Sequence, residues 1–298
     1  MSSSITIIFS PYHVGLRDHR VGDGPNRIRS LGLIEKLSDL GLDVKSHEIP
    51  PVDDFEGEIG RSFEILRRTS TAVKSAVSDN SFPLVLAGNC MALVGIACGF
   101  GCAEDQGFVY FDAHDDMDTP RTKMSGYFDA MGMGFLAGKG FEALTETIPG
   151  FRPMRYDHGR LLYVGLRDQT DVQRQYVKEA GPDVIWGGSE KKVDFPGELE
   201  KRLEKSDGRY KKRLVHLDLD VLDEGVGKVN GYESPGGLSE EELVKCFELI
   251  PLKVIPASLS VCSFDPNLGD GDKIADIAIR AILAFVEGMI KRDLLTTR

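Results

Sequence analysis

The chain is poor in several things at once. Its 298 residues include one tryptophan, six histidines and five cysteines, and no apolar stretch approaches the length of a membrane span. Lys and Arg number 36 against 47 Asp and Glu, a formal net charge of −11, and no basic patch is evident. Binding to a phosphate backbone needs such a patch, so neither nucleic acid nor a membrane is expected as a partner. The cysteines, Cys90, Cys98, Cys102, Cys246 and Cys262, are odd in number and scattered. That pattern fits reduced thiols in a cytoplasmic protein rather than a disulfide framework. The opening MSSSITIIFS has no basic n-region and reads as a first strand rather than a signal peptide. The basic runs, Lys191–Lys192 and Arg209–Arg213, read as solvated faces ahead of strands. With 41% hydrophobic residues and no linker-like stretch, residues 1–298 are expected to form one domain.

What the chain does have is acid in two tight clusters, each at the end of an apolar run. VYFDAHDDMD (Val109–Asp118) starts as a buried strand and ends with four aspartates and a histidine; RLVHLDLDVLD (Arg213–Asp223) repeats the pattern. Residues i and i+2 of a strand share a face, so Asp112 pairs with His114 and Asp218 with Asp220. A cluster of buried carboxylates is unstable unless something offsets the charge, and a divalent cation held by carboxylate and imidazole does so. A single DxH or DxD is commonly a solvated turn or helix cap. Two of them, each after a buried strand, point to metal. His216 shares the Asp218 face and reads as a supporting partner of the cluster. His13 reads as a surface-loop residue, His19, His47 and His158 as exposed, Trp186 as core, and Cys98 and Cys102 as core thiols.

Apolar strands alternate with amphipathic helices along the whole chain. Strands are expected at Ile5–Phe9, Val44–Glu48, Leu84–Ala87, Phe108–Phe111, Leu161–Val164, Asp183–Trp186, Leu214–Leu219 and Ala257–Val261. Helices are expected at Pro25–Leu40, Glu58–Val77, Met91–Phe100, Ala130–Leu136, Val172–Ala180, Glu198–Lys205, Ser239–Glu248 and Asp276–Lys291. The strands are too apolar to be half exposed. The expected fold is therefore a three-layer α/β/α sandwich around a mostly parallel sheet of about eight strands. Ligands of such sheets bind at the carboxyl ends of the strands, where both acidic motifs and AGNCM (Ala87–Met91) lie. Ser239, with Glu242 three residues on, reads as a capping box.

The ordered set AGNC, DAHDD, SGYFDAMGMG, VGLRD, DLDVLD and SPGGLS resembles the ureohydrolase family of arginase, agmatinase and formimidoylglutamase, from VGDGP at Val21 to SFDP at Ser263. The resemblance implies a binuclear manganese centre that hydrolyses a guanidinium or amidine and releases urea or a related fragment, in a protein that forms homo-oligomers. Carried over by position, Asp112 and Asp218 bridge two ions, His114 and Asp220 complete one shell, and Cys90 and Asp116 the other. The family has histidine where this chain has Cys90, and a thiolate favours zinc or iron over manganese. Asp129 stands where arginases have a proton-shuttling histidine, and with Asp116 it is the expected catalytic acid. Ser263 replaces a glutamate that pairs with the guanidinium, and Asp118 replaces an asparagine that helps bind the substrate's α-carboxylate. Ser125 and Asp168 match substrate-binding positions, and Thr170 takes the place of a second aspartate. These departures imply a guanidino, N-hydroxyguanidino or amidine substrate other than free L-arginine. Two alternatives stand beside this reading. One is a one-metal amide deacylase, as in the histone deacetylases and acetylpolyamine amidohydrolases that share the sheet architecture; the other is a catalytically lapsed binding or regulatory homologue.

Overall fold

Segments such as SFPLVLA and QGFVYF are buried along their whole length, which requires helices on both faces of the sheet they form. The computed structural model describes residues 1–53, 57–205, 208–210 and 212–298. Among the described residues there are ten strands: β1 (Ser4–Ser10), β2 (Tyr12–His13), β3 (Leu16–Arg17), β4 (Val44–Glu48), β5 (Ser81–Ala87), β6 (Gln106–Phe111), β7 (Leu161–Val164), β8 (Asp183–Ile185), β9 (Lys212–Asp218) and β10 (Ile255–Cys262). Eight of them make one sheet in the order β4-β1-β5-β10-β9-β6-β7-β8, with every pairing parallel. These are the eight strands expected from sequence. The β2–β3 hairpin was not expected, since two-residue strands leave no periodicity to read.

Alternation along the central strands separates two cores. One face carries Val109, Phe111, Val215, Leu217 and Leu259, packed against Phe247 and Phe285. The helices on that side are Gly24–Ser30, Leu33–Asp39, Phe195–Glu204, Glu240–Lys253 and Gly271–Lys291. The other face carries Phe108, Tyr110 and Leu214 under Glu58–Ser78, Ala92–Gly99, Gly132–Leu136 and Asp171–Ala180. The single helix expected over Pro25–Leu40 is two, because Gly32 between them adopts a φ of 83°, a conformation that costs glycine little. Ser239 and Glu242 form the expected capping box, and Thr170 with Gln173 forms a second. Trp186 is only half buried, with the Arg174 guanidinium 4.6 Å from its ring centre. The reading of Arg209–Arg213 as a solvated face fails at Arg213, which is buried and donates to the carbonyls of Gly159 and Arg160; Lys211 lies outside the described residues. No helix among the described residues is long and apolar enough to cross a membrane.

Candidate metal centre

The four central strands β5, β10, β9 and β6 are neighbours, so the loops at their carboxyl ends open into one pocket. β5 leads through Gly88 to Asn89 and Cys90. Glycine suits position 88 because a Cβ there would come within 2.0 Å of the Tyr12 carbonyl oxygen, so a side chain would force the N-terminal loop to shift. β10 delivers Cys262 and Ser263, β9 delivers Asp218 and Asp220, and β6 delivers Asp112 to Asp116. Two of these residues hold backbone conformations unusual for a side-chain-bearing residue, Asp116 at φ 51° and Ser263 at φ 66°. Strain of this kind persists where surrounding structure imposes it, commonly at functional sites.

The sequence-predicted ligands converge in two adjoining sets. In the first, His114 Nδ1 lies 3.3 Å from Asp112 Oδ1 and 3.3 Å from Asp220 Oδ2. Asn230 Nδ2 donates to Asp220 Oδ2 at 2.9 Å, and the Ala113 and Asp220 backbone N–H groups donate to Asp220 Oδ1 and Asp218 Oδ1. In the second, the Cys90 sulfur is 2.6 Å from Asp218 Oδ2 and 3.9 Å from Asp112 Oδ2, and Cys90, Asp112 and Asp116 bring their donor atoms within 4.8 Å of one another. The Tyr110 hydroxyl donates to Asp116 at 2.6 Å. Asp112, Asp116, Asp218 and Asp220 are all buried.

Charge is the outstanding feature. Burial, then the neighbouring Asp220, raises the Asp112 carboxyl to about 7; burial and adjoining carboxylates push Asp116 and Asp218 well up. Burial works against charge on His114, yet Asp220 and Asp112 outweigh it and pull its pKa well up. Burial also opposes charge on Asp220, but His114 and Asn230 hold its carboxyl down at about 2. The nearby Arg167 does not relieve the acids directly: its guanidinium donates to the carbonyls of Gly165, Asp220, Val221, Leu222 and Ser234. Acids held this way keep protons or take a cation. The donor set, oxygen with imidazole in one half and oxygen with thiol in the other, fits divalent metal.

Several expected substrate contacts turn out differently. Asp168 lines the pocket with its carboxylate 3.4 Å from His114 Nε2, so it also contacts a neighbouring histidine, an arrangement of the kind that orients an imidazole able to bind metal. Thr170 is exposed and spent on the helix cap; it does not line the pocket. Ser125 is exposed outside the pocket lining, its hydroxyl accepting from Tyr127 N at 3.3 Å. Asp118 does line the pocket, but it accepts from Thr122 and Gln173 and sits 3.5 Å from Lys123 Nζ, so its charge is largely offset. Asp129 is fastened by both oxygens, to Asn89 Nδ2 at 2.5 Å and to Met91 N at 2.9 Å, and so anchors the loop that carries Cys90. Burial raises its carboxyl to about 6 against those bonds. Ser263 faces the pocket with its hydroxyl 3.2 Å from the Cys90 sulfur.

Sequence reasoning missed His13, Asn230, Tyr127 and Tyr232. His13 is buried and lines the pocket, its Nδ1 without a hydrogen-bond partner among the described residues, which corrects its reading as a surface residue. Burial, reinforced by Arg20, lowers it to about 4. The signal available was its position just past β1, at the carboxyl edge of the sheet. Tyr127 and Tyr232 stack loosely at 6.0 Å, and the Tyr232 ring stands edge-on to His114 at 6.3 Å, making one wall of the pocket.

The chain is similar to known proteins along nearly its whole length. The family model described as "Arginase family" matches residues 3–286. The arginase of Bacillus subtilis is 26% identical over 306 aligned positions that cover 99% of this chain and 100% of that protein. The structure of Bacillus caldovelox arginase superposes with a TM-score of 0.81 at 25% identity, covering 96% of this chain and 98% of that one. The fold alone is shared with Bacillus subtilis formimidoylglutamase, at a TM-score of 0.73 and 17% identity, covering 98% of this chain and 88% of that one. The chain belongs to the arginase family.

Proposed function

We propose that this protein is a metal-dependent hydrolase that cleaves a C–N bond of a guanidino or amidine compound at a centre of two divalent cations. The observation that carries this reading is the position of His114, whose Nδ1 lies 3.3 Å from both Asp112 and Asp220 while Asp168 takes its far nitrogen. Carboxylates and imidazole suit manganese at this position. The second donor set, Cys90 with Asp112 and Asp116, favours two ions over the single-ion deacylase arrangement. Buried acids this poorly compensated cost stability unless a cation is used, which argues against a lapsed homologue.

Bound cations would supply a water of lowered pKa and polarise the substrate carbon. The chain's own residues do the rest. Asn230 and the Ala113 backbone N–H pin Asp220, and Arg167 holds the carbonyls of Asp220 and Leu222, so the first donor set is held before substrate arrives. Tyr127 and Tyr232 offer aromatic faces to a planar, delocalised cation such as guanidinium. Asp129, its carboxyl raised to about 6, is the group suited to carry a proton to the leaving amine. His13 is a second such group on the same wall, its ring centre 6.4 Å from that of Tyr127. With Ser263 in place of an acid, the pocket offers a hydroxyl where a guanidinium's carboxylate partner would stand. We therefore read the substrate as a guanidino, N-hydroxyguanidino or amidine compound other than free L-arginine. The Lys123–Asp118 pair softens the repulsion of an α-carboxylate, so this preference rests mainly on Ser263.

Steady-state release of urea or amine, measured with metal-loaded protein across L-arginine, agmatine, N-hydroxyguanidines and simple amidines, tests the reading. Hydrolysis of at least one modified compound, faster than of L-arginine, is expected. Cleavage of L-arginine as fast as of the N-hydroxyguanidines and amidines removes the role given to Ser263, L-arginine undiminished relative to agmatine removes any repulsion by Asp118, and no hydrolysis of any compound removes the proposed function.

A further inference from the structure

We propose that Cys90, Cys262 and His216, closed by Asp218, form a thiolate-rich site for zinc at the inner edge of the acidic cluster. The inference deepens the reading above and rests on it in one respect, that Cys90 is a ligand; it turns that ligand's ion away from Asp116 and toward the sheet.

The four donors come from three adjacent strands. The register of β10 against β9 sets Ser260 opposite His216 and Cys262 opposite Asp218, while Cys90 arrives from the loop after β5 on the other flank of β10. The sulfurs of Cys90 and Cys262 are 3.5 Å apart, and the Cys262 sulfur is 3.5 Å from His216 Nε2. Donor atoms of all three lie within 4.8 Å of one another, and Asp218 Oδ2 is 2.6 Å from the Cys90 sulfur. Tetrahedral ligands on zinc–sulfur bonds of about 2.3 Å and zinc–nitrogen bonds of about 2.0 Å stand about 3.8 Å apart for two sulfurs and about 3.5 Å apart for sulfur and nitrogen. The Cys90–Cys262 and Cys262–His216 pairs are already near those spacings, while Asp218 Oδ2, 2.6 Å from the Cys90 sulfur, would move outward to join them. All four residues are buried, so a cation bound there is shielded from water.

The histidine is prepared for the task. Its Nδ1 is 2.8 Å from the Ser260 hydroxyl, which fixes the ring and leaves Nε2 directed at the Cys262 sulfur, the arrangement by which a supporting residue orients a metal-binding imidazole. The Tyr110 ring lies against it, centre to centre 4.4 Å. Two thiolates and an imidazole select zinc over manganese, whereas the Asp112, His114 and Asp220 set, all oxygen and imidazole, is the harder of the two. The centre would thus hold two different metals side by side. Neither role needs a redox step.

Zinc K-edge X-ray absorption of the wild-type protein, stripped with chelator under reductant and reloaded with excess manganese and no more than one equivalent of zinc, tests this without any variant. Two sulfurs per tightly held zinc, at about 2.3 Å, are expected. Cys262→Ala should reduce the count to one, His216→Gln should remove the nitrogen, Asp116→Asn should leave the sulfur count at two, and Ser260→Ala should weaken zinc affinity roughly tenfold as a positioning residue. One sulfur in the wild type, with affinity lost in Asp116→Asn and kept in Cys262→Ala, overturns the inference while preserving Cys90 as a ligand of the acidic cluster. A shell of nitrogen and oxygen alone overturns both. A Cys90–Cys262 disulfide in protein purified under air and mapped by mass spectrometry, refractory to reductant and zinc, overturns it as well.

Discussion

Removing metal should expose the electrostatic cost of the site, and the cost should grow with pH. Asp112 has an ordinary carboxyl pKa of 3.8 when unfolded and about 7 in the fold. The folded pKa is the higher of the two, so the metal-free native state binds protons that the unfolded state releases. The stabilising effect is complete below pH 3.8 and is lost as pH rises through about 7. At about 1.4 kcal/mol per pH unit between those two values, Asp112 alone removes about 4 kcal/mol. Asp116 and Asp218, pushed well up by burial, extend the loss to higher pH. Bound cations cancel it by pairing with the ionised acids. Thermal unfolding of chelator-treated and metal-loaded protein, followed by circular dichroism at pH 5 and pH 8, should therefore show a gap that widens with pH, by on the order of 10 °C for a chain this size. Asp112→Asn, which cannot titrate, should flatten the pH dependence of the chelated protein. A gap that is the same at both pH values, or a chelated protein that becomes more stable between pH 5 and pH 8, refutes the reasoning.

Cys90→His should move metal preference from zinc toward manganese, read by competitive metal titration, because imidazole replaces a soft thiolate. Gly88→Ala should cost about 3 kcal/mol or more in denaturant unfolding, since its Cβ would meet the Tyr12 carbonyl at 2.0 Å and force the N-terminal loop to shift. Asp129→Asn should lower kcat about a hundredfold, as expected when a proton-transfer group is lost, and, because an amide offers one acceptor oxygen to the Asn89 and Met91 donors, should also weaken metal retention through the Cys90 loop, read by elemental analysis. An unchanged kcat would leave Asp129 as an anchor of the Cys90 loop alone.

The fold was legible because its central strands are apolar on both faces: a run such as FVYF admits no partly exposed arrangement, whereas the edge strand β4, VKSHE, is exposed at Lys45, Ser46 and His47. The acids at Asp112 and Asp218 were legible for the same reason, since each follows a run whose direction and face were clear. What could not be read was lateral order. Nothing in the sequence says that β10 lies between β5 and β9, and it is that insertion which sets Cys262 and Ser263 beside Cys90. Short polar motifs misled in both directions. Thr170 stands at a substrate position by alignment, yet its hydroxyl caps a helix, a use that Thr170 and Gln173 three residues apart already advertised. His13 sits in a segment with no periodicity, so its burial depends on the two-residue hairpin strands and on the glycine at position 22, whose Cβ would press on the His13 nitrogen at 2.8 Å. Arg213 enters a strand from a basic run, and its burial goes with the neighbouring carbonyls of Gly159 and Arg160 and with the Tyr210 ring 5.9 Å away, none of which the local sequence reveals.

Elemental analysis of the purified protein, set beside Asp218→Ala, tests the central claim most directly, because Asp218 touches both donor sets, through Cys90 on one side and the Asp220 backbone on the other. The account predicts close to two divalent ions per wild-type chain and loss of both from a folded Asp218→Ala variant. A wild-type chain that retains no stoichiometric metal, or an Asp218→Ala variant that keeps two, contradicts it.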